Sequence, residues 1–103
     1  MRYKERRYFT VVNAILIDDK DNVVSVIEQV LKGDDVIFET KNGKAITIKA
    51  LEDIPIYHKI AVRDIVEGSY IIKYGEHIGV AATDIKTGMH VHEHNVRSVR
   101  ENL

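Results

Sequence analysis

Three of the five histidines in this chain stand at alternate positions, within the stretch MHVHEHN at residues 89–95. They are His90, His92 and His94. On a β-strand alternate residues share one face, so the spacing predicts three imidazoles that point the same way. Imidazole binds divalent ions such as Zn²⁺ and Fe²⁺, and it exchanges protons near neutral pH. The spacing leaves three interpretations open: a metal site, an active-site wall, or a polar strand face in solvent.

The composition of the chain indicates one small domain. Its 103 residues are 45% apolar, which is enough for a single core and leaves no room for a second domain. The 15 Lys and Arg residues and 16 Asp and Glu residues give a formal net charge of −1, without the clustered positive charge that binds nucleic acid. The basic N-terminal cluster is interpreted as a solvated chain end: Arg2, Lys4, Arg6 and Arg7.

Cysteine is absent from the sequence, which excludes disulfides, thiolate metal sites and a cysteine nucleophile. No apolar run approaches the roughly 20 residues of a membrane span. The stretch at 1–22 has positive charge before an apolar segment, but it contains Asn13 and lacks the small-residue cleavage site of a signal peptide. We therefore expect a cytoplasmic protein that binds neither membrane nor nucleic acid.

The hydrophobic pattern predicts a mainly β chain with one short helix. Residues 8–17 are rich in β-branched and aromatic side chains, which predicts a strand. The segment VIFETKNGKAITIK at 36–49 predicts a hairpin, because Asn42 and Gly43 can both adopt positive φ in a two-residue turn.

The short helix is predicted over residues 22–31. Four apolar residues have the i, i+3, i+4 and i+7 spacing of one helical face: Val23, Val26, Ile27 and Val30. Asp21 can cap the start of this helix, and Gly33 follows its last apolar residue as a stop signal.

One turn pattern recurs along the chain, as DIPIYHKI at 53–60, DIVEGSYI at 64–71, DIKTGMHV at 84–91 and, without the Asp, QVLKGDDV at 29–36. We expect the Asp to bond its own following backbone, the Ile to anchor the turn in the core, and the Gly to adopt the left-handed conformation. The spacing of the copies is irregular, so the pattern favours a compact β fold with tight corners over a solenoid. Chance similarity of turn chemistry is the alternative.

Most of the chain resembles the SAF-type domain of the altronate and galactarate dehydratase family. The resemblance covers about 21–96, and its matching segments are DNV at 21–23, HKIA at 58–61, DI with Gly68, IKYGEHIG at 72–79, DIKTG at 84–88 and HEHNV at 92–96. DNV is similar to the family's helix-opening motif. Three residues depart from the family pattern: Tyr57 replaces a usual Gly, His77 a common Pro, and His90 a bulky apolar or aromatic residue.

The resemblance implies a β-clip, a compact roll of short bent strands, over 21–103, preceded by an N-terminal extension at 1–20 that contains a strand. It implies a small subunit that completes the active site of a larger sugar-acid dehydratase subunit, which acts on altronate or galactarate. It also implies a divalent metal, Fe²⁺, Mn²⁺ or Mg²⁺, which the larger subunit could hold in the main. Sulfolactate sulfo-lyase is similar in sequence and has the same split arrangement.

Dehydration of a sugar acid removes a proton α to the carboxylate and expels the β-hydroxyl as water, which requires a base, an acid and positive charge. His58 and His92 are the candidate catalytic residues. The resemblance selects His92 and His94 as candidate metal ligands, with His58 as a possible third ligand, and places His90 at the periphery. The candidate substrate-binding residues are Lys59, Lys73, Tyr74, Gly75 and Asn95.

Structural roles compete with several of these assignments. Lys73 could be a solvated strand residue and Tyr74 could pack in the core or an interface. Gly75 could serve only a tight turn, and Asn95 could orient a neighbouring residue through its amide.

Three functions therefore stand side by side. The first is a lyase subunit that is inactive without its partner. The second is an SAF-type module that binds a ligand or protein without catalysis, and the third is a metal-carrying protein. Fold alone does not separate them. Exposed strand edges also make self-association of the isolated chain an expectation.

Overall fold

The computed structural model describes residues 11–99, which form nine short β-strands in three antiparallel sheets. The strands are β1 (Ala14–Ile15), β2 (Val23–Val26), β3 (Asp35–Glu39), β4 (Ala45–Lys49), β5 (Lys59–Ala61), β6 (Tyr70–Lys73), β7 (Glu76–Ala81), β8 (His90–Val91) and β9 (Val96–Arg97). The predicted mainly β roll of short strands is confirmed. No helix within residues 11–99 is long and apolar enough to cross a membrane.

The three sheets have simple orders. The first sheet is β1-β2-β5-β8, the second is the hairpin β3-β4, and the third is β6-β7-β9. The predicted hairpin is confirmed, but its loop differs: the Thr40 carbonyl accepts from Gly43 N, and of the two predicted turn residues only Gly43 has positive φ. This arrangement is the three-residue loop with a left-handed glycine, not a two-residue turn.

The predicted helix over 22–31 is wrong, because its first half is strand β2. Val23, Val24 and Val26 are all buried, and β2 pairs with β1 on one side and β5 on the other. Val24 and Val26 join one apolar cluster while Val23 joins a second. A strand buried on both faces reads as a continuous apolar run, and here that run happened to match helical spacing.

The recurring turn pattern is confirmed as a structural repeat of four copies that associate in two pairs. Ile65 and Ile85 exchange both backbone hydrogen bonds, at 2.7 and 2.8 Å, and Val30 and Ile54 do the same at 3.0 and 2.8 Å. All four side chains are buried, so each anchors its turn in the core as expected.

In the three copies that have the aspartate, it bonds the paired copy, not its own backbone, which corrects that expectation. Asp64 Oδ1 accepts from Thr87 N and Asp84 Oδ1 accepts from Glu67 N, both at 2.8 Å. The backbone and hydroxyl hydrogen bonds from Thr87 lower the pKa of Asp64. Since each carboxylate serves the opposite turn, the pair of copies is locked reciprocally.

The glycine position of the repeat requires left-handed backbone. Gly33, Gly68 and Gly88 have φ of 94°, 88° and 95°, and in each turn the residue two positions before the glycine accepts from the residue after it. A hydrogen-bonded turn with positive φ at its third residue strongly favours glycine. The copy at 53–60 has Tyr57 at this position, with φ 70°, and the residue is 72% exposed.

The N-terminal part of the described chain belongs to the first sheet. Ala14 is fully buried and pairs with Val26, while residues 8–10 of the predicted strand lie outside the described residues. The division at residue 20 between an extension and an SAF-like domain stays a prediction.

We predict that Tyr57→Gly stabilises the protein. The left-handed conformation costs a residue with a Cβ about 1 kcal/mol, which corresponds to a rise in Tm of roughly 5 °C for a domain of this size. Tyr57→Ala is the matched control, because it removes the ring but keeps the Cβ and should bring no such rise. Equal stabilisation by both variants in thermal melts would show that the exposed ring, not the backbone, carries the cost.

Candidate functional site

Four histidines gather at one end of the pairing between β5 and β8. Lys59 pairs with Val91 and Ile60 with His90, so this antiparallel register places His58 opposite His92. The rings of His58 and His92 stack with centroids 4.3 Å apart. The expectation that the alternate histidines share one side is supported by ring contacts of His90 with His92 and His94, at 5.4 and 5.3 Å.

His90 lies at the centre of this cluster, which corrects its predicted peripheral place. Its Nε2 is 2.8 Å from Nδ1 of His58, so one of the two nitrogens donates a proton to the other. Burial first, and then the neighbouring imidazoles of His58, His94 and His92, lower the pKa of His90, with Glu52 acting in the opposite direction. His90 is therefore held neutral near pH 7 and can accept or ligate.

Three of the four histidines offer ring nitrogens that lie within 4.8 Å of one another: His58, His90 and His92. His94 contacts the His90 ring but is exposed and does not belong to this group. Three half-buried imidazoles are a donor set suited to Zn²⁺ or Fe²⁺, whereas Mg²⁺ prefers oxygen ligands. This geometry favours His90 over His94 as the companion of His92.

Asn95 fixes the turn that carries the last histidines. Its Oδ1 accepts from His92 N and its Nδ2 donates to the His90 carbonyl, both at 2.9 Å, and the residue is only 3% exposed. The alternative role, orientation of a neighbour through the amide, agrees with these bonds. Asn95 thus sets where the rings of His90 and His92 stand.

An open cavity of about 230 Å³ adjoins the cluster at His92. Lys59, His92 and Arg97 contribute its basic groups, and the remaining lining residues are Ile71, Ile78, Val91, Glu93, Val96 and Ser98. Arg97 was missed in the sequence analysis. Its place in β9, paired with Val80 of β7, was not visible in any local pattern.

The other predicted substrate-binding residues lie elsewhere, at the turn between β6 and β7. Tyr74 and Gly75 have φ of 59° and 71°, as in a two-residue hairpin turn. Lys73 is 8% exposed, not solvated, and its Nζ lies 3.9 Å from the centre of the Tyr74 ring. Lys73, Tyr74 and Gly75 are absent from the lining of the cavity beside His92.

Asp21 does not cap a helix as predicted but stabilises the turn between β6 and β7. Its fully buried carboxylate accepts from Asp18 N, Tyr74 N and Gly75 N, at 3.1, 3.0 and 2.8 Å. The next residue, Asn22, donates to the Tyr70 carbonyl and accepts from Ile72 N. The DNV motif therefore starts a strand and ties the third sheet to the first.

Short strands, paired turn copies and a histidine-lined end define a mainly β domain of SAF type. The family model described as the altronate/galactarate dehydratase SAF domain matches residues 12–99. The chain belongs to this family, which confirms the resemblance seen in the sequence.

Curated relatives include enzymes of two activities. The chain is 37% identical to altronate dehydratase of Escherichia coli over 84 residues, which are 82% of this chain and 16% of the enzyme. It is 34% identical to (2R)-sulfolactate sulfo-lyase subunit alpha of Chromohalobacter salexigens, over 82% of this chain and 94% of that subunit. The chain thus spans about a sixth of the altronate dehydratase and nearly all of the sulfo-lyase subunit.

We predict that His90 makes stability depend on pH. Its folded-state pKa lies below the unfolded value of about 6.5, so the unfolded chain takes up the proton more readily. The contribution of neutral His90 to the free energy of unfolding is fully present above pH 6.5. It is lost as the pH falls from there through the lowered pKa of the folded state. Thermal melts with a chelator between pH 8 and 5 should therefore show a smaller acid loss for His90→Gln than for the wild type.

The matched control is His77→Gln, because His77 stacks on Tyr70 outside the cluster, with ring centroids 4.0 Å apart. This variant should keep the acid loss of the wild type. An unchanged acid loss in His90→Gln would contradict the assignment. Asp64, whose pKa is also lowered, titrates below this window.

Proposed function

We propose that this chain is the small subunit of a hydro-lyase that dehydrates a sugar acid of the altronate or galactarate type. In this proposal it forms one wall of an active site that a larger subunit completes, and the isolated chain is inactive. The observation that carries the proposal is the convergence of His58, His90 and His92, beside a cavity lined by Lys59. Membership of a family named for dehydratases supports it.

The histidine cluster suits the proton transfers of such a reaction. A base takes the proton from Cα, the Cα–Cβ double bond forms, and the β-hydroxyl leaves with a proton as water. His58 and His92 stack against each other, and His58 shares a hydrogen bond with neutral His90. We assign the base and the acid to His58 and His92, with His90 and Asn95 as positioning residues.

A divalent metal fits the same three histidines. The shared hydrogen bond between His58 and His90 occupies the nitrogen pair that would bind the ion, so a metal ion and a proton would compete for these nitrogens. The roles of base and acid therefore belong to the metal-free cluster, and a bound ion would replace them. When bound, the ion supplies a Lewis acid that stabilises negative charge on the substrate. Three imidazoles favour Fe²⁺ over Mn²⁺ and Mg²⁺ among the expected ions.

A sulfo-lyase subunit is the second candidate, and the extent of the match favours it. The alignment covers 94% and 91% of two sulfolactate sulfo-lyase alpha subunits, from Chromohalobacter salexigens and Paracoccus pantotrophus. Their name describes a lyase that acts on sulfolactate. In this second candidate the cluster would remove a proton next to the carboxylate while a sulfur group, not a hydroxyl, leaves. The same cluster could therefore serve either leaving group.

The first experiment is a pull-down of the tagged chain from lysate of its own source, followed by assay of the complex on altronate, galactarate and sulfolactate. We predict that a larger lyase subunit is recovered, and that His58→Gln and His92→Gln each lower kcat by roughly 10²-fold or more, as loss of a general acid or base does. His77→Gln is the control with unchanged kcat. Normal turnover by both cluster variants in an assembled complex would favour the non-catalytic binding module.

We also predict that the metal ligands are His58, His90 and His92 and not His94. Titration of the isolated chain with Co²⁺ should give visible ligand-field bands that saturate at about one equivalent of Co²⁺ per chain. His90→Gln should abolish the bands, whereas His94→Gln, whose ring lies beside the cluster, should keep them. If His94→Gln abolished the bands and His90→Gln kept them, the original prediction of His92 and His94 as the metal ligands would be supported instead.

A further inference from the structure

Two cationic side chains line the cavity beside His92 and have no carboxylate partner among residues 11–99. Lys59 and Arg97 both contribute to its wall, and neither forms an ion pair within residues 11–99. The ion pairs in that part of the chain join Lys49 with Asp35 and His92 with Glu93. Positive charge that is held at a concave surface and left unneutralised attracts an anion.

Much of the remaining lining of the cavity is apolar. Ile71 and Val91 contribute buried side chains to it, and Ile78 contributes an exposed one. A guanidinium matches the planar or trigonal oxygens of a carboxylate or sulfonate with two parallel hydrogen bonds, while an ammonium acts as a point charge. The cavity therefore combines an acid-binding edge with a surface for a short carbon chain.

We propose that this cavity binds the acid group of a small organic anion, a carboxylate or a sulfonate, through Arg97 and Lys59. The inference rests on the proposed function, because it places the acid group next to His92, where a proton on the adjacent carbon would be removed. It assigns to Arg97 a substrate-binding role and makes the backbone pairing of β9 with β7 part of the site.

Glu93 is the one acidic residue among the described residues that line the cavity. Its carboxylate is 3.7 Å from His92 Nε2, and its side chain is 91% exposed. An anion in the cavity would be repelled by this carboxylate, so removal of its charge should strengthen binding. Glu93 thus supplies a test in the direction opposite to loss of a cation.

The test is an NMR titration of the full chain with glycolate and with methanesulfonate, at pH 7.5 and low ionic strength. We expect saturable amide shifts centred on Lys59 and residues 91–98. Lys59→Met and Arg97→Met should each weaken binding by about tenfold, the usual effect of losing a charged hydrogen bond. Glu93→Gln should tighten binding, and the control Lys44→Met, in the exposed β3–β4 loop, should leave it unchanged.

Shifts that stay linear with concentration, or that survive unchanged in Lys59→Met and Arg97→Met, would overturn the site. A preference for one of the two probes would tell carboxylate from sulfonate. Assay of the complex separates this inference from the proposed function. If Arg97→Met turns over substrate with an unchanged KM, the anion site is contradicted and the proposed enzyme function stands. If the chain binds the anions saturably but no lyase partner is recovered, the anion site stands and the proposed enzyme function is contradicted.

Discussion

The reciprocal pairing of turn copies is the interaction on which the rest of the fold depends. Each strand of the first sheet is short, and β8 has only two residues. Strand pairing alone therefore contributes few hydrogen bonds to the stability of this sheet. The paired turn copies add two backbone hydrogen bonds between Ile65 and Ile85, and hydrogen bonds from backbone amides of each turn to the aspartate of the other. Because turns at 51–58 and 82–89 lead directly into β5 and β8, these locked corners decide where both strands begin. The histidines stand at those starting points, so the turns place the site.

A second constraint joins the sheets. The buried Asp21 carboxylate and the Asn22 amide satisfy backbone groups of β6 and the following turn. Burial of a carboxylate is costly unless it is hydrogen-bonded, and three backbone donors meet that requirement. This contact sets the third sheet against the first, and Ile71 of β6 lines the same cavity as Lys59 of β5. Lys73, Tyr74 and Gly75 lie at this turn, and their contact with a ligand stays a prediction.

Local patterns predicted the elements whose causes are local. The asparagine–glycine hairpin and the glycine corners follow from backbone conformation alone, and the alternation of histidines from strand geometry. The β2 strand could not be told from a helix, because burial of Val23 and Val24 on opposite faces depends on partners distant in sequence. The cross-pair role of Asp64 and the cavity role of Arg97 depend on the same long-range contacts, and therefore no window of sequence contained them.

Two unusual residues meet at His58: Tyr57 precedes it in the chain, and His90 shares a hydrogen bond with it. Tyr57 holds a left-handed backbone conformation that glycine holds in the other copies, and His90 places a half-buried imidazole among three others. Natural sequences tend to break local rules where function requires it. Tyr57 is largely exposed, so packing does not offset the cost of its backbone conformation. His90, in contrast, contacts the rings of His58, His92 and His94. Because both residues adjoin His58, the departure from local rules lies at the histidine cluster on which the proposed function depends.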